Sequence, residues 1–207
     1  MRIEEIKPSQ RKKGRILVKL SDGSILRLTE DVVLSYGLRP GEELGEDRLA
    51  ALRSDAAAAV VKTQAAEIVG SRALSRRELE RKLQRRGAAP EAVQGAADWL
   101  EDIGALDDGN YAGVVARHYA QRGYGPGRVR QELQRRGVDR EHWDDALREL
   151  PDSAVAIDAY IAKKCRGQVP DEKLRRRIVD GLLRRGFRWE EIRAGLSRFG
   201  AAEDLEE

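Results

Sequence analysis

Six arginines stand in three doublets, each directly before a glycine: Arg85-Arg86-Gly87, Arg135-Arg136-Gly137 and Arg184-Arg185-Gly186. Successive doublets are separated by 50 and then 49 residues. Guanidinium groups repeated at one interval are equipped to hold anions rather than to turn a substrate over. Part of their presence has a structural explanation, because a cation in the last turn of a helix offsets its negative end by about 0.3–1 kcal/mol. That explanation does not select two arginines in all three places. Nor does it cover Arg77 and Arg81, which with Arg85 form an i, i+4, i+8 stripe on one helix face. Basic residues outnumber acidic ones six to two over Arg76–Arg86, four to one over Arg128–Arg136 and seven to one over Lys173–Arg188. The candidate binding residues are therefore Arg77, Arg81, Arg85, Arg86, Arg128, Arg135, Arg136, Arg184 and Arg185. Their regular recurrence points to a periodic polyanion or an acidic, repeating protein partner.

Residues for turnover chemistry are sparse. His118 and His142 lie on helical segments, with no spacing to a cysteine, serine or second histidine that makes a ligand set or a triad. A Gly-x-x-x-x-Gly-Lys loop for nucleotide phosphates does not occur. The Gly123–Gly127 cluster follows a helix rather than a strand, so it reads as a linker turn. Asp107 and Asp108 precede Asn110-Tyr111 and read as a helix cap, not a metal pair. The single cysteine, Cys165, excludes an internal disulfide framework and a multi-cysteine zinc site. The expectation is a protein that is not an enzyme and uses neither metal nor cofactor.

Composition points the same way. Charged residues make up 36% and aromatics 5%, so the core has to be built from Leu, Val, Ile and Ala. Such a thin core suits an array in which each helix buries one stripe and wets the other. The net charge of +3 does not by itself announce nucleic acid, but charge is sorted along the chain. Glu91–Asp102 holds four acids and no base, and Asp139–Glu149 five acids against two bases. Stacked units would turn this into basic and acidic ridges. Trp99, Trp143 and Trp189 share no column and read as packing residues before stacking platforms. No apolar run reaches the roughly 18 residues of a membrane span, and the start lacks a signal-peptide pattern. The expected setting is the cytoplasm, with the protein acting as a monomer.

The elements that carry the doublets repeat with them. Leu83–Gly87 and Leu133–Gly137 are the same five letters, Leu-Gln-Arg-Arg-Gly, and Leu182–Gly186 is a variant. Counted from each glycine, position −8 is Leu79, Val129 and Ile178, and position −4 is Leu83, Leu133 and Leu182. Position +6 is Val93, Trp143 and Ile192; position +10 is Ala97, Leu147 and Leu196. Spacings of three and four define one face of a helix, so each unit carries two successive amphipathic helices joined at the glycine. Ser75-Arg76-Arg77-Glu78 is a capping box at the start of one such helix. Internal repetition at this period marks an array of like helical units.

Residues before about Leu44 read differently. Ile16, Val18 and Leu20 alternate, Ser21-Asp22-Gly23 is a turn, and Ile25–Leu28 returns as a second strand, with Arg2–Ile6 as a third. A short helix from Thr29 to Tyr36 follows. The expected fold is mostly α: three tandem three-helix repeats in an elongated curved array behind a small β-rich N-terminal domain. The expected divisions are 1–45 for the β-rich domain, 46–106, 107–150 and 151–200 for the repeats, and 201–207 for an acidic tail.

These residues also resemble a known family. Arg72–Leu79, followed by Leu83 and Gly87, is similar to the first repeat of the bacterial RecX regulators. Leu100–Asp108 with Tyr111-Ala112 looks like their junction between first and second repeats. Gly123-Tyr124-Gly125, Val129, Leu133, Arg136-Gly137-Val138 and Ala146-Leu147 resemble the second repeat. The likeness covers about Ala65–Phe199, and the third repeat, with Gln168-Val169-Pro170 in place of a Gly-x-Gly turn, is its loosest part. The resemblance implies a protein that binds RecA and RecA–DNA filaments and modulates, most often inhibits, recombinase, ATPase and SOS-signalling activity. Single- or double-stranded DNA is a further candidate partner. The alternative is a helical-repeat protein that binds DNA or RNA directly through its basic ridges.

Overall fold

The computed structural model describes residues 1–11 and 13–200, so the expected acidic tail, 201–207, lies outside the described residues. Strands β1 (Ile3–Pro8), β2 (Arg15–Leu20) and β3 (Ile25–Thr29) form an antiparallel sheet in that order. Period-two alternation sends Val18, Leu20 and Leu28 inward, each at most 2% exposed. The following helix, α1 (Glu30–Ser35), is capped by Thr29, whose hydroxyl accepts the Val32 N–H. So small a sheet buries little by itself. Leu49 and Leu52 of α2 (Glu46–Ser71) complete its core.

Helices α3 (Arg76–Arg85) and α4 (Pro90–Asp102) follow. α2 packs on α4, burying Val61, Ala65 and Ile68 on one side and Val93, Ala96, Ala97 and Leu100 on the other. Next come α5 (Asp108–Gln121), α6 (Pro126–Arg136) and α7 (Trp143–Arg148), which enclose a core of Tyr111, Ala112, Val115, Ala116, Val129, Leu133, Val138 and Ala146. The helical segment after Gly137 is divided: Arg140–His142 is a 3-10 turn, and only Trp143–Arg148 is α-helical. Trp143 is tied back at this point, its indole N–H donating to the Val138 carbonyl at 3.0 Å. The last set is α8 (Ser153–Cys165), α9 (Glu172–Arg184) and α10 (Trp189–Arg198), closed around Ile157, Ile161, Ile178, Leu182, Ile192 and Leu196.

The −8 and −4 columns are the core, while in the +6 and +10 columns Trp143 and Leu147 of the second repeat are only partly buried. Leu79, Val129 and Ile178 are fully buried, and so are Leu83, Leu133 and Leu182. The described chain falls into two compact units: Met1–Ala73 with Leu79–Leu106, and Leu74–Glu78 with the residues from Asp107 onward. Among the described residues no helix is long and apolar enough to cross a membrane.

Candidate interaction surface

The start of α3 is held inside the second unit. Ser75 accepts the Glu78 N–H at 3.1 Å and Glu78 accepts the Ser75 N–H at 3.4 Å, which is the capping box read from the sequence. Ser75 does more than cap. Its buried hydroxyl donates to the Arg136 carbonyl at 2.5 Å. The Arg76 N–H donates to Asp108 at 2.8 Å, while Asp107 caps α5 through the Asn110 N–H. Arg77 pairs with Asp139 at 2.9 Å. Ser75→Ala removes both a cap and a buried bond to a carbonyl, so a stability loss of about 2–3 kcal/mol is expected from urea unfolding.

The α6 start makes the same kind of joint one repeat later. Gly125 stands where Ser75 stands, twelve residues before the repeat glycine. Here backbone groups replace the serine hydroxyl: the Gly125 N–H donates to the Arg185 carbonyl at 2.8 Å and the Gly127 N–H to the Gly186 carbonyl at 2.9 Å. These are N–H groups that the first turn of a helix cannot satisfy internally. A Cβ on Gly125 would lie 2.8 Å from the Gly186 carbonyl oxygen, and one on Gly127 equally close. The Gly123–Gly127 segment, read as a linker turn, is thus a place where two backbones meet. Its sequence signal was the alternation of glycines, which removes the Cβ atoms that would hold the chains apart.

Against these joints the arginine doublets divide. In the second doublet the Arg135 side chain is 66% exposed and that of Arg136 only 22%. Arg136 donates to the Tyr111 hydroxyl at 2.5 Å and lies over its ring, and Tyr111 in turn donates to Glu78 at 3.0 Å. Burial pushes the Tyr111 phenol above its ordinary range, which keeps it protonated as the central donor. In the third doublet Arg184 is exposed and Arg185 half-buried. Arg185 lies over Tyr160 at 4.9 Å and Tyr124 at 5.3 Å and donates to the carbonyls of Arg122 and Gly123. Tyr111 and Tyr160 both stand 26 residues before their glycine, so the second arginine of these two doublets rests on one tyrosine column. In the first repeat that column holds Val61, and Arg85 and Arg86 are both exposed.

Among the remaining candidates, Arg81 is exposed and Arg77 is exposed but paired with Asp139. Arg128 is partly exposed and reaches Glu132 at 3.3 Å. Glu132, which sequence reasoning passed over, is 4% exposed and gathers Arg128, Arg135 and Arg136 on one carboxylate. Burial works to raise that carboxyl; the Arg135 guanidinium, the Tyr119 hydroxyl and the Arg136 charge outweigh it and hold it below the ordinary range. At the position directly before the second arginine, each repeat has an exposed arginine: Arg85 in the first unit, Arg135 and Arg184 in the second. A guanidinium can hold an anionic group but supplies neither a nucleophile nor a base.

Comparison with known proteins agrees with this architecture. Residues 107–147 match the family description "RecX, second three-helix domain". The chain is 38% identical over 134 residues to the regulatory protein RecX of Pseudomonas entomophila (strain L48), covering 64% of this chain and 86% of that one. It is 42% identical over 135 residues to the regulatory protein RecX of Xanthomonas axonopodis pv. citri (strain 306), covering 64% and 80%. Among solved structures, a crystal structure of regulatory protein RecX superposes with a TM-score of 0.76 at 25% identity, over 92% of this chain and 96% of that chain. RecX from Lactobacillus salivarius shares the fold, with a TM-score of 0.64 at 20% identity over 70% of this chain and 97% of that chain. On the length and identity of these matches, the chain belongs to the RecX family of regulatory proteins.

Proposed function

We propose that this protein binds the RecA recombinase and its filaments on DNA in the cytoplasm, as a monomer, and restrains them. ATP hydrolysis, strand exchange and SOS signalling by RecA fall as a result. The observation that carries the reading is the column of exposed arginines, Arg85, Arg135 and Arg184, at one position of each repeat in a member of the RecX family. The segments 46–106, 107–150 and 151–200 are read as three repeats behind a domain of residues 1–45. A filament presents the same surface many times, and three like contacts raise apparent affinity beyond what any one supplies. Arg81 and Arg86 extend the surface in the first repeat. Arg77, Arg128, Arg136 and Arg185 contribute chiefly by fixing the helices that carry it.

The test is a titration of the protein into RecA filaments on single-stranded DNA, with ATP hydrolysis followed and DNA binding measured separately without RecA. Loss of hydrolysis at fewer copies of this protein than of RecA supports the proposal. Loss only at amounts that coat the DNA would make the protein a direct nucleic-acid binder acting through its basic ridges.

A further inference from the structure

A second concentration of positive charge lies on the sheet, far along the chain from the doublets. Cross-strand register places Lys7, Leu17 and Arg27 side by side on β1, β2 and β3, and Arg15 beside Thr29. The alternate residues Ile16, Val18, Leu26 and Leu28 serve the core, so Lys7, Arg15, Leu17 and Arg27 belong to the opposite face. Arg11 and Lys13 add exposed cations on the connection between β1 and β2. Lys7, Arg11, Arg15 and Arg27 line a shallow groove of about 450 Å³ around Leu17 and Ile25. Ile25 is 47% exposed, which is unusual for a β-branched aliphatic on so small a sheet. Of the acids on β1, Glu4 pairs with Lys19 at 2.7 Å, and Glu5 pairs with Lys7 at 2.9 Å at the groove's edge, so the unopposed charge comes from the arginines. Toward the turn, Arg11, Arg15 and Arg27 have no ion pair among the described residues.

We infer that this face binds single-stranded nucleic acid through its phosphates. Same-face residues along a strand stand about 7 Å apart and neighbouring strands about 5 Å apart. A flexible single strand can follow charges that close, laying sugars or bases on Leu17 and Ile25 while its phosphates reach the surrounding cations. The face carries no aromatic side chain, so binding is set by charge, tolerates any sequence and weakens steeply with salt. An acidic peptide would bind best by adding a strand to β1. That edge is restricted at its start by the Arg2–Glu43 bridge and at its end by Pro8, which has no N–H to give.

This inference does not depend on the RecA reading, and its test contains no RecA. The full chain is titrated against fluorescent oligo-dT across a salt series, beside the variant R11Q/R27Q and, as a control on the helices, K163Q/R193Q, two exposed cations outside the arginine column. R11Q/R27Q is expected to bind about tenfold more weakly, with a salt slope reduced by about 1.4, the share of two phosphate contacts on a single strand. K163Q/R193Q keeps the wild-type affinity and slope. Unchanged affinity and slope in R11Q/R27Q overturn the inference, as does poly-glutamate displacing the oligonucleotide at equal charge concentration. Because a variant can fail to fold, the wild type supplies a second readout: oligo-dT is expected to protect Lys7 and Lys13 from acetylation, and their full labelling in the complex also overturns it.

Discussion

Gly186→Ala is expected to lower stability by about 3–5 kcal/mol, and Gly87→Ala by only about 1–2 kcal/mol. Both glycines end a repeat's middle helix in the left-handed region, with φ of +84° and +83°. An L-residue pays about 1–2 kcal/mol for that conformation in either place. The difference lies in what a methyl group would meet. At Gly87 nothing lies within 4 Å, whereas at Gly186 a Cβ would stand 2.1 Å from the Arg128 backbone nitrogen. Backbone cannot turn aside as a side chain can, so the joint between the α6 start and the Leu182–Phe187 turn would have to open. Gly137 is intermediate, because its Cβ would meet the Arg77 side chain at 2.9 Å. Urea unfolding of the three alanine variants orders them Gly186, Gly137, Gly87. Equal losses would show that the joints contribute nothing beyond helix termination.

Leu133→Ala is expected to cost about 2–5 kcal/mol. Leu133 is fully buried among Val129, Val138 and the inner faces of α5 and α7. The neighbouring side chains are fixed by the joints at either end of α6, so the space left by the lost methyls closes only in part, and the loss falls in the upper half of that range. Denaturant midpoints measured with an unchanged slope check this. The variant loses activity through unfolding, unlike a change at an exposed arginine.

How much of this was legible in the sequence depended on which physical rule decided each position. The −8 and −4 columns, the sheet and the Ser75 cap follow from periodicity and local hydrogen bonding, and the structure places them where the residues indicate. The doublets were legible as a pattern but not in their roles. Adjacent helical residues point about 100° apart, so one arginine can face water while its neighbour turns inward. Whether the second arginine turns goes with the residue 26 positions before the glycine: a tyrosine in the second and third repeats, where it does, and Val61 in the first, where both arginines stay exposed. A column comparison extended to the first helix of each repeat would have shown it. Glu132 was obscured by the same arginines that enclose it. The Gly123–Gly127 segment was hidden because its partner carbonyls, on Arg185 and Gly186, lie some sixty residues away in sequence.

The outward-facing first arginine of every doublet, with an inward partner in the second and third, is the centre of the account, and one measurement addresses it. Arg85, Arg135 and Arg184 are replaced together by glutamine, which removes charge without setting a new acid beside Glu132. The variant is then titrated into RecA filaments with ATP hydrolysis followed. It is expected to keep its circular dichroism spectrum and to require at least about tenfold more protein for the same loss of hydrolysis, as three linked contacts are weakened at once. A folded variant that restrains hydrolysis as fully as the wild type would contradict the account.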